Sequence, residues 1–389
     1  MKPFAVALFT LSLVAVAPAQ AAKQFDIEVM TQNQFLGADL NPLLAAAASG
    51  DPDALAAALG ATLARMAANN FPVRASALAE QICDKQPHVV GLQEVFRFEI
   101  NGISGPPAPA PFVDQLVETL AAIDDDCGNY VVAASLKNVD VAQAVPDFGT
   151  IGFIDRDVVL VRNDVSFAPV PFSGQVCAPT ESGVPGLDAS GCHFQALVPL
   201  PAAFGGSILR GYVGVDAVVG GVTHRVVNTH LEVQRPDGSD FSSVFQALQA
   251  AELIQVLGGF PAFPGTRLIL LGDINSSPDD PIIPQPIQPP PFPLPPPFDT
   301  IIIPPYTQLV LAGLTDIWPL RPGNPPGYTC CHDEDLSLTG VEHDERIDVI
   351  FSQIAPTKVK ANVLGGKDED RVLGLLPSDH CTVTGELDF

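Results

Sequence analysis

The chain has 389 residues, 44 Asp and Glu against 19 Lys and Arg, and a formal net charge of −25. With no basic run, this balance excludes tight binding that depends on phosphate contacts from a cationic face. Seven cysteines without Cys-x-x-Cys or Cys/His spacing exclude a zinc site as the organising feature and fit an oxidising compartment.

Residues 1–22 read as a secretory signal: Lys2, an apolar run over 4–17, and the small-residue pattern Ala19-Gln20-Ala21. Beyond it no stretch reaches about 18 apolar residues without proline or charge. The expectation is a secreted or periplasmic chain, with one domain over 23–389. A strand-like run over 25–30 is followed by Asn33. Residues 40–70 are Ala-rich and are expected to be helical in pieces, broken at Gly50-Asp51-Pro52 and at Gly60. Val73, Ala77, Leu78 and Ile82 recur at helical spacing and predict a helix over 73–86 that stops before Pro87. The apolar run over 89–93 closes on Glu94. Phe112, Val113, Leu116, Leu120 and Ile123 predict a second helix.

Further β-rich runs lie at 130–134 and 157–161. Cys177 and Cys192 bracket a Gly/Ser-rich segment and are the expected disulfide pair. Runs over 212–219 and 224–231 follow, the second carrying His230 at its end. A helix over 241–257 leads from Asp240 to Gly258-Gly259. The run over 267–271 ends in Gly272-Asp273-Ile274-Asn275. In 281–305, 12 of 25 positions are proline, which rules out helix or inner strand and predicts extended polyproline. This segment is either a surface insertion or an apolar lip (Phe292, Leu294, Phe298, Ile301 to Ile303) that touches a membrane or an apolar substrate. Trp318 is expected in the core. The acidic stretch 328–335 would repel a long polyanion, or hold a structural Ca²⁺ through Asp333 and Asp335. Asp348 lies within an apolar run over 346–351, and Ser378-Asp379-His380 comes near the chain end. His224, His332 and His343 read as ordinary surface or loop histidines. Strand and helix signals alternate without a fixed-period repeat, which predicts a single α/β domain.

Polar residues at the ends of apolar strands sit where a buried scaffold can present them at a cleft. The carboxylates and the Asn amide offer hard oxygens for Mg²⁺, Mn²⁺ or Ca²⁺. Imidazoles beside carboxylates can stabilise or protonate an oxyanion near neutral pH. Together they describe phosphoester hydrolysis. Gly-x-Ser-x-Gly, a phosphate-binding Gly-x-x-x-x-Gly-Lys and His-Glu-x-x-His do not occur.

In order, Asn33, Val90-Gly91-Leu92-Gln93-Glu94, Asn228-Thr229-His230, Leu271-Gly272-Asp273-Ile274-Asn275, Arg346-Ile347-Asp348 and Ser378-Asp379-His380 resemble the endonuclease/exonuclease/phosphatase superfamily. That group includes deoxyribonuclease I and secreted neutral sphingomyelinases. The resemblance covers nearly all of 23–389. It implies an α/β fold, a four-layer α-β-β-α sandwich of two packed mixed sheets flanked by helices. It implies that Glu94 and Asp379 bind the metal, with Asn33 nearby. Asp273 would orient or deprotonate the attacking water, and Asn275 would hold a phosphoryl oxygen. His380 would contact the phosphate with Asp348 setting its tautomer, and His230 would stand near the leaving group. By spacing, Asp155 (Asp157 next) matches a carboxylate that pairs with that histidine. Plainer roles stay open: Glu94 as a solvated strand-end charge, Asn33 as a turn cap, Asp348 as an ion pair with Arg346.

The resulting expectation is a secreted Mg²⁺-dependent phosphodiesterase, sphingomyelinase-like, acting on a lipid or small-molecule phosphodiester. Peripheral membrane contact would come through 281–305, and no stable nucleic-acid complex is expected. The alternatives are an extracellular metal-dependent endonuclease with nucleic acid as substrate, and a non-catalytic surface-binding protein on a hydrolase scaffold.

Overall fold

The computed structural model describes residues 25–104, 112–145, 148–172, 180–200, 206–233, 242–259, 266–284, 296–297, 301–323 and 325–389. The signal segment 1–22, Cys177 with its expected bridge, and most of 281–305, including Phe292, Leu294 and Phe298, lie outside the described residues.

The first five strands are β1 (Ile27–Asn33), β2 (Val89–Gln93), β3 (Arg97–Ile100), β4 (Tyr130–Val145) and β5 (Gly149–Arg162), and they share one sheet. The next seven form a second: β6 (Ser166–Pro169), β7 (Cys192–His193), β8 (Gly211–Val219), β9 (Val222–His230), β10 (Thr266–Asp273), β11 (Thr315–Asp316) and β12 (Asp348–Ser352). The last two, β13 (Lys358–Leu364) and β14 (Thr382–Asp388), return to the first sheet. Short ribbons (Val198–Pro199 with Ser207–Ile208, Ile283–Pro284 with Ile301–Ile302) stand apart. The first sheet runs β13-β14-β1-β2-β5-β3 with β4 also on β5, and the second runs β11-β12-β10-β9-β8-β6 with β7 also on β8. Both sheets are mixed: β1–β2 and β9–β10 are the parallel pairs.

Among the described residues, six α-helices accompany them: α1 (Asn41–Ser49), α2 (Pro52–Ala68), α3 (Phe71–Lys85), α4 (Gln115–Asp126), α5 (Ser242–Gly259) and α6 (Pro305–Leu311). Strand alternation explains the layering. On β2, Val89 faces the other sheet with Val29, Val159, Val226, Leu271 and Ile350. Val90 and Leu92 face outward, against Ala79 and Ile82 of α3 and Leu116 and Ile123 of α4. On the far side, Val227, Leu268 and Leu270 meet Ala250, Leu253 and Val256 of α5. The result is the expected four-layer α-β-β-α sandwich. Strands covered on both faces read as continuous apolar runs, which is why they were visible in the sequence.

Three elements differ from expectation. The second predicted helix, α4, starts at Gln115, because the Asp114 carboxylate caps it by accepting the Leu116 N–H, so Phe112 and Val113 lie ahead of it. Helix α2 runs through Gly60 without a break, because Leu59, Leu63 and Met66 bury one face and outweigh a glycine cost of about 1 kcal/mol. Strands β4 and β5 extend far beyond 130–134 and 157–161 as a long hairpin paired from Tyr130↔Arg162 to Val145↔Gly149. Its distal half alternates apolar with Lys137, Asp140 and Gln143, so no continuous apolar run marks it. Trp318 is buried as expected, its Nε1 donating to the Pro325 carbonyl at 2.7 Å. A disulfide joins Cys83 of α3 to Cys127 after α4.

The histidines correct the sequence reading. His224 is fully buried, neither ring nitrogen has a hydrogen-bond partner, and its ring lies 6.2 Å from that of Phe389. His332 is buried as well, and His343 half-buried. His224 is a strand residue, paired with Ala217 and Arg267 on the neighbouring strands. Burial and the Arg267 charge lower His224 to about 4, whereas an unfolded histidine titrates near about 6.5. The unfolded chain therefore takes up this proton first, and stability is lost as pH falls from about 6.5 towards about 4. His224→Phe should lose less stability than the parent across that window, measured as the difference in urea midpoints at each pH.

Candidate active site

The two parallel pairs place several strand ends at one rim. In the second sheet, His230 pairs with Asp273, and Asp273 with Asp348, so three functional groups stand side by side across β9, β10 and β12. Gly272 allows this approach: its φ is +141°, and a side chain there would strike the Thr229 backbone. Asn275 follows with φ +48°, its N–H donating to Asp273 Oδ1 at 2.8 Å and its Nδ2 to the Leu231 carbonyl at 2.9 Å.

From the first sheet, Asn33 donates through Nδ2 to Asp273 Oδ2 at 3.0 Å and accepts the Phe35 N–H at 2.9 Å. It therefore both caps its turn and reaches the site. Glu94 has φ +53°, and its Oε2 accepts the Leu36 N–H at 3.1 Å. Ser378 Oγ donates to the Asn33 carbonyl at 2.8 Å and accepts the His380 N–H at 3.2 Å, tying the last loop to β1.

Asp273 Oδ2 is the hub: it lies 3.6 Å from His230 Nε2 and 3.8 Å from His380 Nδ1. His380 Nδ1 is 2.8 Å from Asp348 Oδ2. Arg346 does not pair with Asp348. It bonds Asp316 at 2.6 Å, which leaves Asp348 to the imidazole.

The imidazoles are electrostatically opposite. Burial alone would depress His380, but Asp348, Asp379 and Asp273 hold its pKa well above the ordinary value. Burial, then Arg210, then His380 push His230 well below it. Arg210 Nη1 stands 2.7 Å from His230 Nδ1 and 3.1 Å from Nε2. A guanidinium only donates, so the ring must accept and is neutral. Asp273 is raised to about 7 by burial and by Asp348.

Asp155 does not pair with His230. It is 3% exposed on β5, beside Asp157, and the position at the imidazole belongs to Arg210. Burial raises Asp155 to about 6, and burial plus Asp155 raise Asp157 well above the carboxylate range. Two arginines, Arg74 buried and Arg210 partly buried, thus enter the site without any sequence motif to mark them. Arg74, 1% exposed, donates to the carbonyls of Gln34 (2.8 Å), Phe35 (3.1 Å), Asn69 (3.0 Å) and Pro377 (2.9 Å). Burial brings it down to about 10, against the pull of Asp379 and Glu94. The only sequence signal for either was an arginine within an otherwise apolar stretch.

Glu94 and Asp379 are suited to a hard divalent cation. Asp379 is raised to about 7 by burial, with Glu94 adding to the rise, and its Oδ1 lies 3.3 Å from Ser378 Oγ, whose proton has the nearer Asn33 carbonyl as its acceptor. Two carboxylates in mutual repulsion with few donors are what a divalent cation relieves. Among the described residues, His, Cys, Asp and Glu ligand atoms gather within 4.8 Å in two groups, Asp273–Asp348–His380 and Cys330–Cys331–His380. Asp333 and Asp335 are not such a group: Asp335 is held by Arg65 at 2.7 Å and by Ser337.

No family model matches the chain, and no curated protein matches it. Solved structures do. An endonuclease/exonuclease/phosphatase family protein from Leptotrichia buccalis C-1013-b is 15% identical, aligned over 93% of this chain and 100% of its own, with a TM-score of 0.51. An endonuclease/exonuclease/phosphatase from Beutenbergia cavernae DSM 12333 is 22% identical over 94% and 72%, with a TM-score of 0.48. Truncated TDP2 from Caenorhabditis elegans is 15% identical over 93% and 97%, at 0.46.

Imidazole NMR of the metal-free protein tests the electrostatic split. His380 should stay protonated above pH 7, and His230 should stay neutral well below pH 6.5. Arg210→Gln should raise the His230 pKa and leave the His380 signals in place.

Proposed function

We propose that this chain, which has the deoxyribonuclease I-like fold of the endonuclease/exonuclease/phosphatase superfamily, is a divalent-metal-dependent phosphodiesterase acting on a lipid or small-molecule phosphodiester. The observation that carries the reading is the buried Asp273 carboxylate, met by the Asn33 amide and both imidazoles.

Glu94 and Asp379, with Asn33 nearby, would hold Mg²⁺ (or Mn²⁺ or Ca²⁺). Bound there, the ion supplies Lewis-acid polarisation of a phosphoryl oxygen. The chain's own groups do the rest. Asp273, near neutrality in pKa, takes the proton of a water that attacks phosphorus. The Asn275 N–H holds that carboxylate in place. His380, kept cationic by Asp348, faces the charge on the phosphoryl oxygens. His230, neutral and with Nδ1 facing Arg210, hydrogen-bonds the ester oxygen as its bond to phosphorus breaks, and the proton taken up by Asp273 is passed on to that departing oxygen, which restores the carboxylate.

The acidic balance supports a substrate with few charges over a long polyanion. The signal-like segment and the Cys83–Cys127 disulfide support an extracytoplasmic location.

The test is a matched assay of wild type, His230→Ala and Asp273→Asn with Mg²⁺, on sphingomyelin vesicles and on supercoiled plasmid, each with an EDTA control. Head-group release that EDTA abolishes, and that falls at least about 100-fold in both variants, is expected. Plasmid nicking with intact lipid would move the substrate to nucleic acid. Turnover insensitive to EDTA and to both substitutions would overturn the proposal.

A further inference from the structure

Between α1, α2 and the distal β4–β5 hairpin lies an apolar cavity of about 40 Å³, lined by Leu43, Leu55, Leu59, Met66, Phe98 and Ile151 among others, with Thr62 and Gln143 its polar members. At about 10–15 Å³ for each water-sized occupant, it has room for about three methylene groups before any side chain moves. Leu40, Leu55 and Phe153 are half-exposed at its edge.

The cavity is linked to the reactive rim. Met66 and Phe98 also line an adjoining void of about 10 Å³, whose wall includes Leu36. The Leu36 N–H is the donor to Glu94 Oε2 at 3.1 Å. Leu36 therefore borders both the carboxylate assigned to the metal and the small void next to the cavity. Its walls offer almost no hydrogen-bond partners, so a sugar or base placed there would leave polar atoms unpaired. A flexible hydrocarbon has no such cost.

We propose that this cavity is a subsite for the proximal alkyl chain of the phosphodiester substrate. The inference rests on the phosphoesterase reading above and narrows its substrate class to amphiphilic esters. Helices α1 and α2 then have a role beyond packing. They follow directly from the Asn33 loop and build an apolar wall beside the metal-binding edge.

The experiment uses p-nitrophenyl alkyl phosphodiesters from methyl to octyl with the full protein and Mg²⁺. KM should fall about fourfold per methylene over about three methylenes, then level off. Leu59→Trp should fill the cavity and flatten the series while leaving methyl-ester turnover unchanged. Leu55→Trp at the half-exposed mouth does the same without disturbing buried packing, and so guards against misfolding of the first variant. A methyl ester hydrolysed as well as the octyl ester would overturn the subsite and leave the hydrolase reading standing. If no ester turns over, the hydrolase reading fails. Titration of methyl and octyl esters into the same protein then decides the subsite: equal affinities overturn it, and tighter octyl binding abolished by Leu55→Trp supports it.

Discussion

A polar stitch between the two sheets sets the geometry on which the site depends. Asn228 on β9 donates to the carbonyls of Leu92 (3.0 Å) and Val158 (3.1 Å) across the interface, and accepts from Gln93 at 2.6 Å. Gly91 makes room for it, since a Cβ there would come 2.9 Å from the Asn228 amide and run into Leu271. Most of the surrounding interface is aliphatic and non-directional, and by itself could tolerate sliding. A buried amide with satisfied hydrogen bonds cannot slide without leaving groups unpaired. Gln93 precedes Glu94, and Asn228 stands two residues before His230. The stitch therefore sets how the carboxylate of one sheet faces the imidazole of the other.

That arrangement gathers carboxylates that repel one another in a medium poor in water. Two arginines offset the crowding in different ways. Arg74 spends its donors on four carbonyls, two from the loop after Asn33 and one from Pro377 ahead of Asp379. It thus fastens the first and last site loops together while placing positive charge near Glu94 and Asp379. Arg210 acts on the other side, among Glu232, Asp155, Glu94 and Asp157, and holds His230 neutral. Two side chains of one type thus become one cationic and one neutral imidazole, set apart by the charges that the fold places beside each.

Much of this was legible beforehand because the relevant strands are covered on both faces. Continuous apolar runs ending in Asn33, Glu94, His230 and Asp273 are the one-dimensional trace of a two-faced sheet whose ends reach a cleft. Asp348 with His380 needed the order of motifs as well, since 32 residues separate them. The elements missed are those whose signal is diluted or non-local. The distal β4–β5 hairpin alternates polar with apolar, Gly60 hid within an otherwise apolar helical face, and His224 looked polar until both sheets closed around it. Asp155 matched by spacing alone, but spacing along a strand does not say which cation a neighbouring strand brings to the same imidazole.

The sequence by itself determined the α/β class, the chemistry-bearing strand ends and the acidic character, because periodicity, residue type and charge are local or additive properties, while the layer order came from the family resemblance. Only the tertiary structure decided that Arg346 turns to Asp316 and Asp348 to His380, that Arg210 stands where Asp155 was expected, and that Arg74 supports both site loops. Those outcomes depend on which side chains converge in three dimensions. Burial then multiplies the consequence of each pairing, since a charge shielded from water must be answered by whatever group the fold places beside it.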